Sequence, residues 1–468
     1  MTTASPEVSE IDANARFPLS LLLASALLWL IVSGLLALLS FGQNLNPSLL
    51  ADCPYFTFGR TRAMQETAFV YGWIANAGFT VSLWLLGRLG GSPLRSLNWV
   101  TVGTLFWNIG VTLSLVGIAL GDGSSIPFLH MPAYAQPLLL VSFGAIAVTG
   151  VLAWTGRAHR MTFAAQWYAV AALFLFPWLF SAAQAMLVWF PVRGTLQAVA
   201  AGWFQQGAWT LWIAPMALAA AYYLVPKISG RVIPSYDFAS LSFWTLLVVG
   251  GWTGGRHLIG GPVPAWVASI AIVSCALLTF HYVVTAINLR GAFGHRSVPL
   301  KFIAFGVAAY VVGGFADAAT AMRSVAQFTQ FTWIGQAQLQ LALTGTFSMI
   351  VYGAIYFLVP RITNHAWPSA ALVRAHQVAA FIGTIALVVS LAGAGMVQGR
   401  DLANAGTSFA DIGTHMRPWL LVAAAAQALL LLGNLLLAVN FARVIAAKPT
   451  VTAETLFSQP PTMEASVS

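Results

Sequence analysis

Apolar runs of roughly 20 residues, the length an α-helix needs to cross a bilayer, follow one another along nearly the whole chain. Short joints, many with Gly or Pro, separate them. The runs lie near 17–42, 66–87, 98–120, 133–155, 165–190, 199–225, 238–260, 265–288, 301–322, 333–359, 376–397 and 418–443. This pattern predicts an all-α integral membrane protein, a bundle of twelve transmembrane helices in one domain over 17–445. Polar segments 1–16 and 446–468 flank it. The longest joint on the side opposite the termini, 43–65, has room for a short amphipathic piece. The tail from Lys448 to Ser468 is rich in Pro, Thr, Ser and Glu and is expected to stay flexible, because it has little apolar surface to offset ordering entropy.

Composition agrees with the pattern. Of 468 residues, 59% are hydrophobic and 7% charged, against about a quarter charged in soluble domains, and the mean hydropathy is +0.80. The net charge of +9 does not point to nucleic acid, since the basic residues are dispersed over the joints and form no long tract. They read as topology signals instead. Arg16, Arg88, Arg95, Arg157, Arg160, Lys227, Arg231, Arg290, Arg296, Lys301, Arg361, Arg374, Arg443 and Lys448 fall on one side, 14 of the 21 Lys and Arg. The positive-inside rule makes that side, with both termini, cytoplasmic. Glu7, Glu10 and Asp12 and the lack of a cleavage site argue against a signal peptide, so the first span is expected to remain as an anchor. Cys53 and Cys275 offer neither a disulfide framework nor a CxxC motif.

A series of motifs runs through the spans. Phe58-Gly59-Arg60-Thr61-Arg62 leads into Ala68, Gly72 and Asn76. Ala165-Gln166-Trp167-Tyr168 opens the fifth span, and the sixth holds Trp203-Phe204-Gln205-Gln206 and then Tyr222-Tyr223-Leu224-Val225-Pro226-Lys227. The seventh has Ser235-Tyr236, Phe243-Trp244, Trp252 and Gly254-Gly255-Arg256-His257-Leu258. The tenth has Arg323-Ser324-Val325, Ile334-Gly335-Gln336-Ala337-Gln338 and Tyr352-Gly353-Ala354-Ile355-Tyr356-Phe357-Leu358-Val359-Pro360. His376, Met396-Val397-Gln398-Gly399 and His415-Met416-Arg417-Pro418-Trp419 follow. In order and spacing, residues 55–445 resemble subunit I of cbb3-type cytochrome c oxidase, in the haem-copper oxidase superfamily.

The resemblance implies haem b and copper, bound through six histidines, and this chain departs from it at five of them. Positions aligned with haem ligands carry Gln65, Gln336 and Gln338; those aligned with copper ligands carry Gln206, Arg256 and His257. The family's cross-linked tyrosine falls on Gly250, and its functional glutamate on Ala316, beside Asp317. Residues i and i+2 of a helix lie about 200° apart, so Gln336 and Gln338 keep the spacing that addresses two haems. An amide offers a weakly basic oxygen or a donor NH₂ in place of an imidazole nitrogen, and the guanidinium of Arg256 stays cationic. No cofactor is therefore expected, and no CxxCH motif would attach a c-type haem.

Two readings of the glutamines stand side by side: a repurposed polar site, or interhelical glue filling the volume of the lost metal centres. Glu66, Asp317 and Arg323 are candidates for proton handling or a polar network; the plainer alternative pairs the carboxylates with Arg60, Arg62 or Arg323. His257 is a remnant ligand or a hydrogen-bonded interior group. His130, His159, His295, His365 and His415 read as solvated or interfacial, and the tryptophans as interfacial anchors and packing. The expected function is a subunit-I-like protein of a bacterial-type inner membrane acting as a structural, proton-handling or regulatory subunit, with a c-type cytochrome as the partner the resemblance implies. The rivals are a diverged terminal oxidase or nitric-oxide-reductase-like enzyme, holding haem through Gln or through His257 and His376, and a proton channel or small-molecule transporter using the emptied pocket.

Overall fold

The computed structural model describes residues 6–158 and 161–447; His159, Arg160 and the 448–468 tail lie outside the described residues. Every regular element there is helical. A short helix α1 (Pro6–Asn14) precedes the long helices α2 (Arg16–Leu45), α3 (Phe58–Gly90), α4 (Leu97–Leu120), α5 (Gln136–Thr155), α6 (Ala164–Trp189) and α7 (Thr195–Ser229). Next come α8 (Tyr236–Gly250), α9 (Ala265–Ala292), α10 (Val298–Thr320) and the short α11 (Arg323–Thr329). The chain finishes with α12 (Trp333–Thr363), α13 (Ala370–Leu402) and α14 (Phe409–Ala446).

Among the described residues 11 helices are long and apolar enough to cross a membrane. The apolar run at 238–260 is the one that differs from the expected single helix. There α8 has 15 residues and gives way to a 3₁₀ segment, Gly251–Leu258. At 1.5 and 2.0 Å per residue the two together reach about 38 Å, enough for a crossing in two pieces. The change of helix type has a local cause. Gly254 packs so closely on α7 that a Cβ there would lie 2.2 Å from the Gly202 carbonyl oxygen, and four glycines, at 250, 251, 254 and 255, let the backbone tighten.

Several helices begin earlier or end later than their apolar runs. Serine caps account for two of the starts: Ser369 accepts from Leu372 N (3.3 Å) and Ser408 from Asp411 N (3.2 Å), which satisfies orphan amides a turn or more before the hydrophobic run. The joint read at 43–65 shrinks because α3 starts at Phe58, leaving a 3₁₀ turn at Pro54–Phe56.

Burial sorts the helices into two layers. In their most apolar stretches 94% of residues are buried in α3 and α7 and 89% in α12, against 44–50% in the others. Three inner helices are thus ringed by outer ones that face lipid. All three inner helices contain a π-helical turn: Ala68–Ile74 in α3, Ala208–Ile213 in α7 and Leu341–Ser348 in α12. Hydroxyls take up carbonyls freed by the wider turn, with Thr346 Oγ1 on Leu341 O (3.2 Å) and Ser348 Oγ on Leu343 O (2.9 Å). Packed rings fill the space between layers, Phe176 and Trp212 with centroids 4.0 Å apart among them.

At one end of the bundle α1 docks through Asp12, which accepts from Trp84 Nε1 (3.0 Å) and pairs with Arg88 (2.8 Å). Arg16 reaches Ile362 O there (2.8 Å). We call this the basic end.

Candidate functional site

Toward the opposite end, α3, α7 and α12 each carry glutamine just before their π turns: Gln65, Gln206, and Gln336 with Gln338. A wide turn shifts the register of the side chains before it relative to those after it, and such turns are frequent at functional sites. Gln206, Gln338, Arg256, His257 and Asp317 line one cavity of about 60 Å3, closed by Phe128, Gln205, Trp209, Gly335, Leu339, Ala342 and Leu343. That is room for a few waters, well short of the 300–1,000 Å3 of a typical cofactor pocket.

An ion pair forms the charged wall of the cavity. Arg256 Nη1 sits 2.7 Å from Asp317 Oδ2, with side chains only 11% and 17% exposed. The expectation that Asp317 pairs with Arg60, Arg62 or Arg323 is corrected: its partner is Arg256, brought down by the 3₁₀ segment. Arg323 instead donates to Ser269 Oγ (3.0 Å), away from the cavity. Arg256 Nε also donates to His257 Nε2 (3.3 Å), so the lone pair a metal would need is already engaged. The His257 carbonyl accepts from Gln330, which ties the segment to the α11–α12 joint.

The glutamines divide between two environments. Gln338 donates to Thr320 Oγ1 on α10 (2.8 Å), while Gln336 accepts from Arg62 of α3. Gln65 is buried on α3 and Gln206 on α7. Gly250 faces Thr210, whose Cβ would lie 2.8 Å from a Cβ at 250, so no tyrosine side chain fits there. Among the described residues no group of three His, Cys, Asp or Glu side chains could hold a metal ion. The donor set does not fit copper or bis-imidazole haem.

Glu66 belongs to a second cluster, at the rim. Its carboxylate accepts from Phe128 N (2.7 Å) and lies 3.2 Å from His130 Nε2; Tyr71 Oη donates to Phe128 O (2.5 Å). The reading of His130 as simply solvated or interfacial is therefore corrected, since it is half-buried and paired. Both of its nitrogens face acceptors, Nδ1 being 3.0 Å from Ser124 O. Burial would lower the imidazole pKa, but the Glu66 carboxylate and the Ser124 carbonyl outweigh it and raise it above the ordinary value. Phe128 pays for this anchoring with a left-handed φ of 60°, a conformation that costs a non-glycine residue on the order of 1 kcal/mol.

Sequence reading missed a third polar group. His281 of α9, fully buried, lies 2.8 Å from Ser242 Oγ through Nδ1 and 2.8 Å from Tyr310 Oη through Nε2. Nearer the basic end Asn288 bonds the Ser235 backbone (2.9 Å to N, 3.2 Å to O) and reaches Tyr222 Oη (3.5 Å). The signal was present: His281 and Asn288 sit seven residues apart in an otherwise apolar run. His376 lies near the basic end, in the first turns of α13, with Nδ1 2.8 Å from Tyr356 Oη and its ring stacked on Phe302. The fold thus does not bring His257 and His376 together as one ligand pair. His415 pairs with Asp401 (2.7 Å).

Comparison with known proteins gives the class. The family model described as Cytochrome C and Quinol oxidase polypeptide I matches residues 18–429; the chain belongs to this family, which normally binds haem and copper. The chain is 26% identical over 441 residues to the Cbb3-type cytochrome c oxidase subunit CcoN1 of Stutzerimonas stutzeri, covering 90% of this chain and 93% of that protein. It is 24% identical over 457 residues to a cytochrome c oxidase subunit 1 homolog of Azorhizobium caulinodans, covering 91% and 81%. Among solved structures a heme-copper terminal oxidase dimer shares the fold at TM-score 0.72 and 12% identity, over 91% of this chain and 84% of that one. The subunit-I family and the all-helical membrane bundle read from the motifs are thereby shown.

Two expectations follow. Removing one partner of the Arg256–Asp317 pair strands the other charge, so Asp317→Ala and Arg256→Ala should each destabilise on the order of 3 kcal/mol. The Arg256→Ala/Asp317→Ala double variant should lose less than the two singles combined, as read by thermal unfolding in detergent; additive losses would refute the coupling. The raised His130 pKa means that the Glu66–His130 interaction stabilises fully below the ordinary histidine value and fades as pH rises through the raised one. The stability gap between wild type and His130→Gln should accordingly shrink toward alkaline pH, and a gap that widens would contradict the assignment.

Proposed function

We propose that this chain is a membrane subunit of the cytochrome c and quinol oxidase polypeptide I family that works without the family's haem and copper centres, in a structural, proton-handling or regulatory role. The observation that carries the reading is the Arg256–Asp317 ion pair on the wall where copper ligands are expected. A fixed cation repels a second one, and the adjacent His257 Nε2 accepts from Arg256. Glutamine stands at four further ligand positions, and two of them, Gln336 and Gln338, are hydrogen-bonded to Arg62 and Thr320. The orientation that follows from the basic joints is with both termini in the cytoplasm. A c-type cytochrome is the partner suggested by the family.

The proton-handling role draws its support from polar groups stacked through the bundle. Tyr222 and Asn288 lie near the basic end, Ser242, His281 and Tyr310 come next, and the cavity with Asp317 and Gln338 lies beyond. These groups exchange donors and acceptors readily, and waters in the cavity could continue the series.

A reduced-minus-oxidised spectrum of the purified complex, with iron and copper analysis, tests the metal-free reading. No b-type α-band and no stoichiometric copper are expected. Any c-type band should travel with a separate polypeptide that stains for covalent haem. One b-type haem per chain would overturn the proposal. For the second role, proteoliposomes containing the protein should pass protons faster than empty vesicles, with the excess falling at least several-fold in Arg256→Ala and Glu66→Gln. An unchanged flux in both variants would remove proton handling and leave the structural or regulatory role.

A further inference from the structure

On the lipid-facing side an apolar groove runs along α6 and α8 from the basic end, crossed at its start by the bond from Ala164 N to Tyr236 Oη (2.8 Å). Two adjoining cavities form it. The inner one, about 470 Å3, is walled by Trp154, Trp167, Phe174, Phe243, Trp244 and their neighbours. The outer one, about 500 Å3, lies between the starts of α6 and α8 and ends on Lys227. They share the same two helices in sequence: Phe163–Ala165 and then Trp167–Leu175 on α6, Tyr236 and then Ser240–Leu247 on α8. The walls are almost wholly apolar.

Two basic groups lie beside the groove: Lys227 lines the outer cavity and is exposed, and Arg157 sits over Trp154 of the inner one. Arg157 packs against the end of α3, where Ala158 N donates to Gly90 O (2.8 Å) and Leu89 lines the outer cavity. Its guanidinium lies 4.6 Å from the centre of the Trp154 ring, donates from Nη1 to Trp154 O (2.7 Å), and has a buried Nε with no hydrogen-bond partner. None of the ion pairs among the described residues involves Arg157 or Lys227. One carboxylate, Asp237, is exposed at the start of α8.

Length discriminates between occupants. From Tyr236 to Leu247 the groove runs about 16 Å at 1.5 Å per residue, about half of the ~30 Å hydrocarbon core. That is the depth of one leaflet, which suits an acyl chain; a partner transmembrane helix would need a track of twice the length. Basic pockets between helices at a membrane face recognise phosphate headgroups. We propose that the groove between α6 and α8 binds one anionic phospholipid, with its phosphate between Arg157 and Lys227 and an acyl chain along Trp167, Phe174, Phe243 and Leu247.

The test uses the full chain purified in mild detergent, with retained phospholipid measured by native mass spectrometry. About one anionic phospholipid per chain should survive extended washing. After delipidation, added phosphatidylglycerol or cardiolipin should raise the unfolding temperature, and zwitterionic phosphatidylethanolamine should not; the larger of the two anionic responses tells whether one phosphate or two are read. The Arg157→Gln/Lys227→Gln variant should retain at least tenfold less lipid. Ala171→Trp, which fills the groove and leaves both charges, should lose it as well, with helix content checked by circular dichroism. Equal retention in the charge variant, no headgroup preference, or a co-purifying membrane polypeptide in place of lipid would each overturn the assignment.

Discussion

A guanidinium and a carboxylate 2.7 Å apart inside an apolar bundle set the terms for everything near them. Neither charge is stable alone at membrane depth, so Arg256 must meet Asp317. To do so, the chain after α8 must come close to both α7 and α10. The tight 3₁₀ segment and the glycine contact between Gly254 and Gly202 provide that approach. Once the pair is made, His257 is held against Arg256, Gln206 and Gln338 share the remaining cavity, and a small volume is left for anything else.

The polar interior is also consistent in where it sits. Each of the three most buried helices carries a π turn preceded by glutamine, and a further π turn, Ala185–Trp189, ends α6. A helix enclosed by others can host a polar side chain because neighbouring helices supply its partners, as Thr320 does for Gln338 and Arg62 for Gln336. Outer helices have lipid on one side and turn their polar groups inward, as α9 does with His281 and Asn288. At the rim Glu66 holds a loop in place through the Phe128 amide and His130, and so brings an aromatic ring from outside the bundle into the cavity wall.

Much of this was legible in residues. Runs of apolar residues gave the helices, and the motif series gave the family, because both are local properties that a linear reading preserves. The glutamines stood out against the motif for the same reason. Pairing was harder. Arg60, Arg62 and Arg323 are equally eligible partners for Asp317 in a linear reading, and nothing along the chain says that the 3₁₀ segment Gly251–Leu258 would deliver Arg256. His130 looked solvated because its partner lies in another span. His281 was passed over inside a long apolar run, where a single imidazole hardly changes the hydropathy. The π turns left no mark in composition, since they depend on how neighbouring helices crowd the backbone.

Thr210 rests where the side chain of residue 250 would project, and that contact constrains any redesign of the bundle. A residue larger than glycine at 250 would place its Cβ 2.8 Å from that of Thr210, so position 210 would have to shrink at the same time. Helices α7 and α8 are editable at this level only as a pair: bulk added to one is space taken from the other.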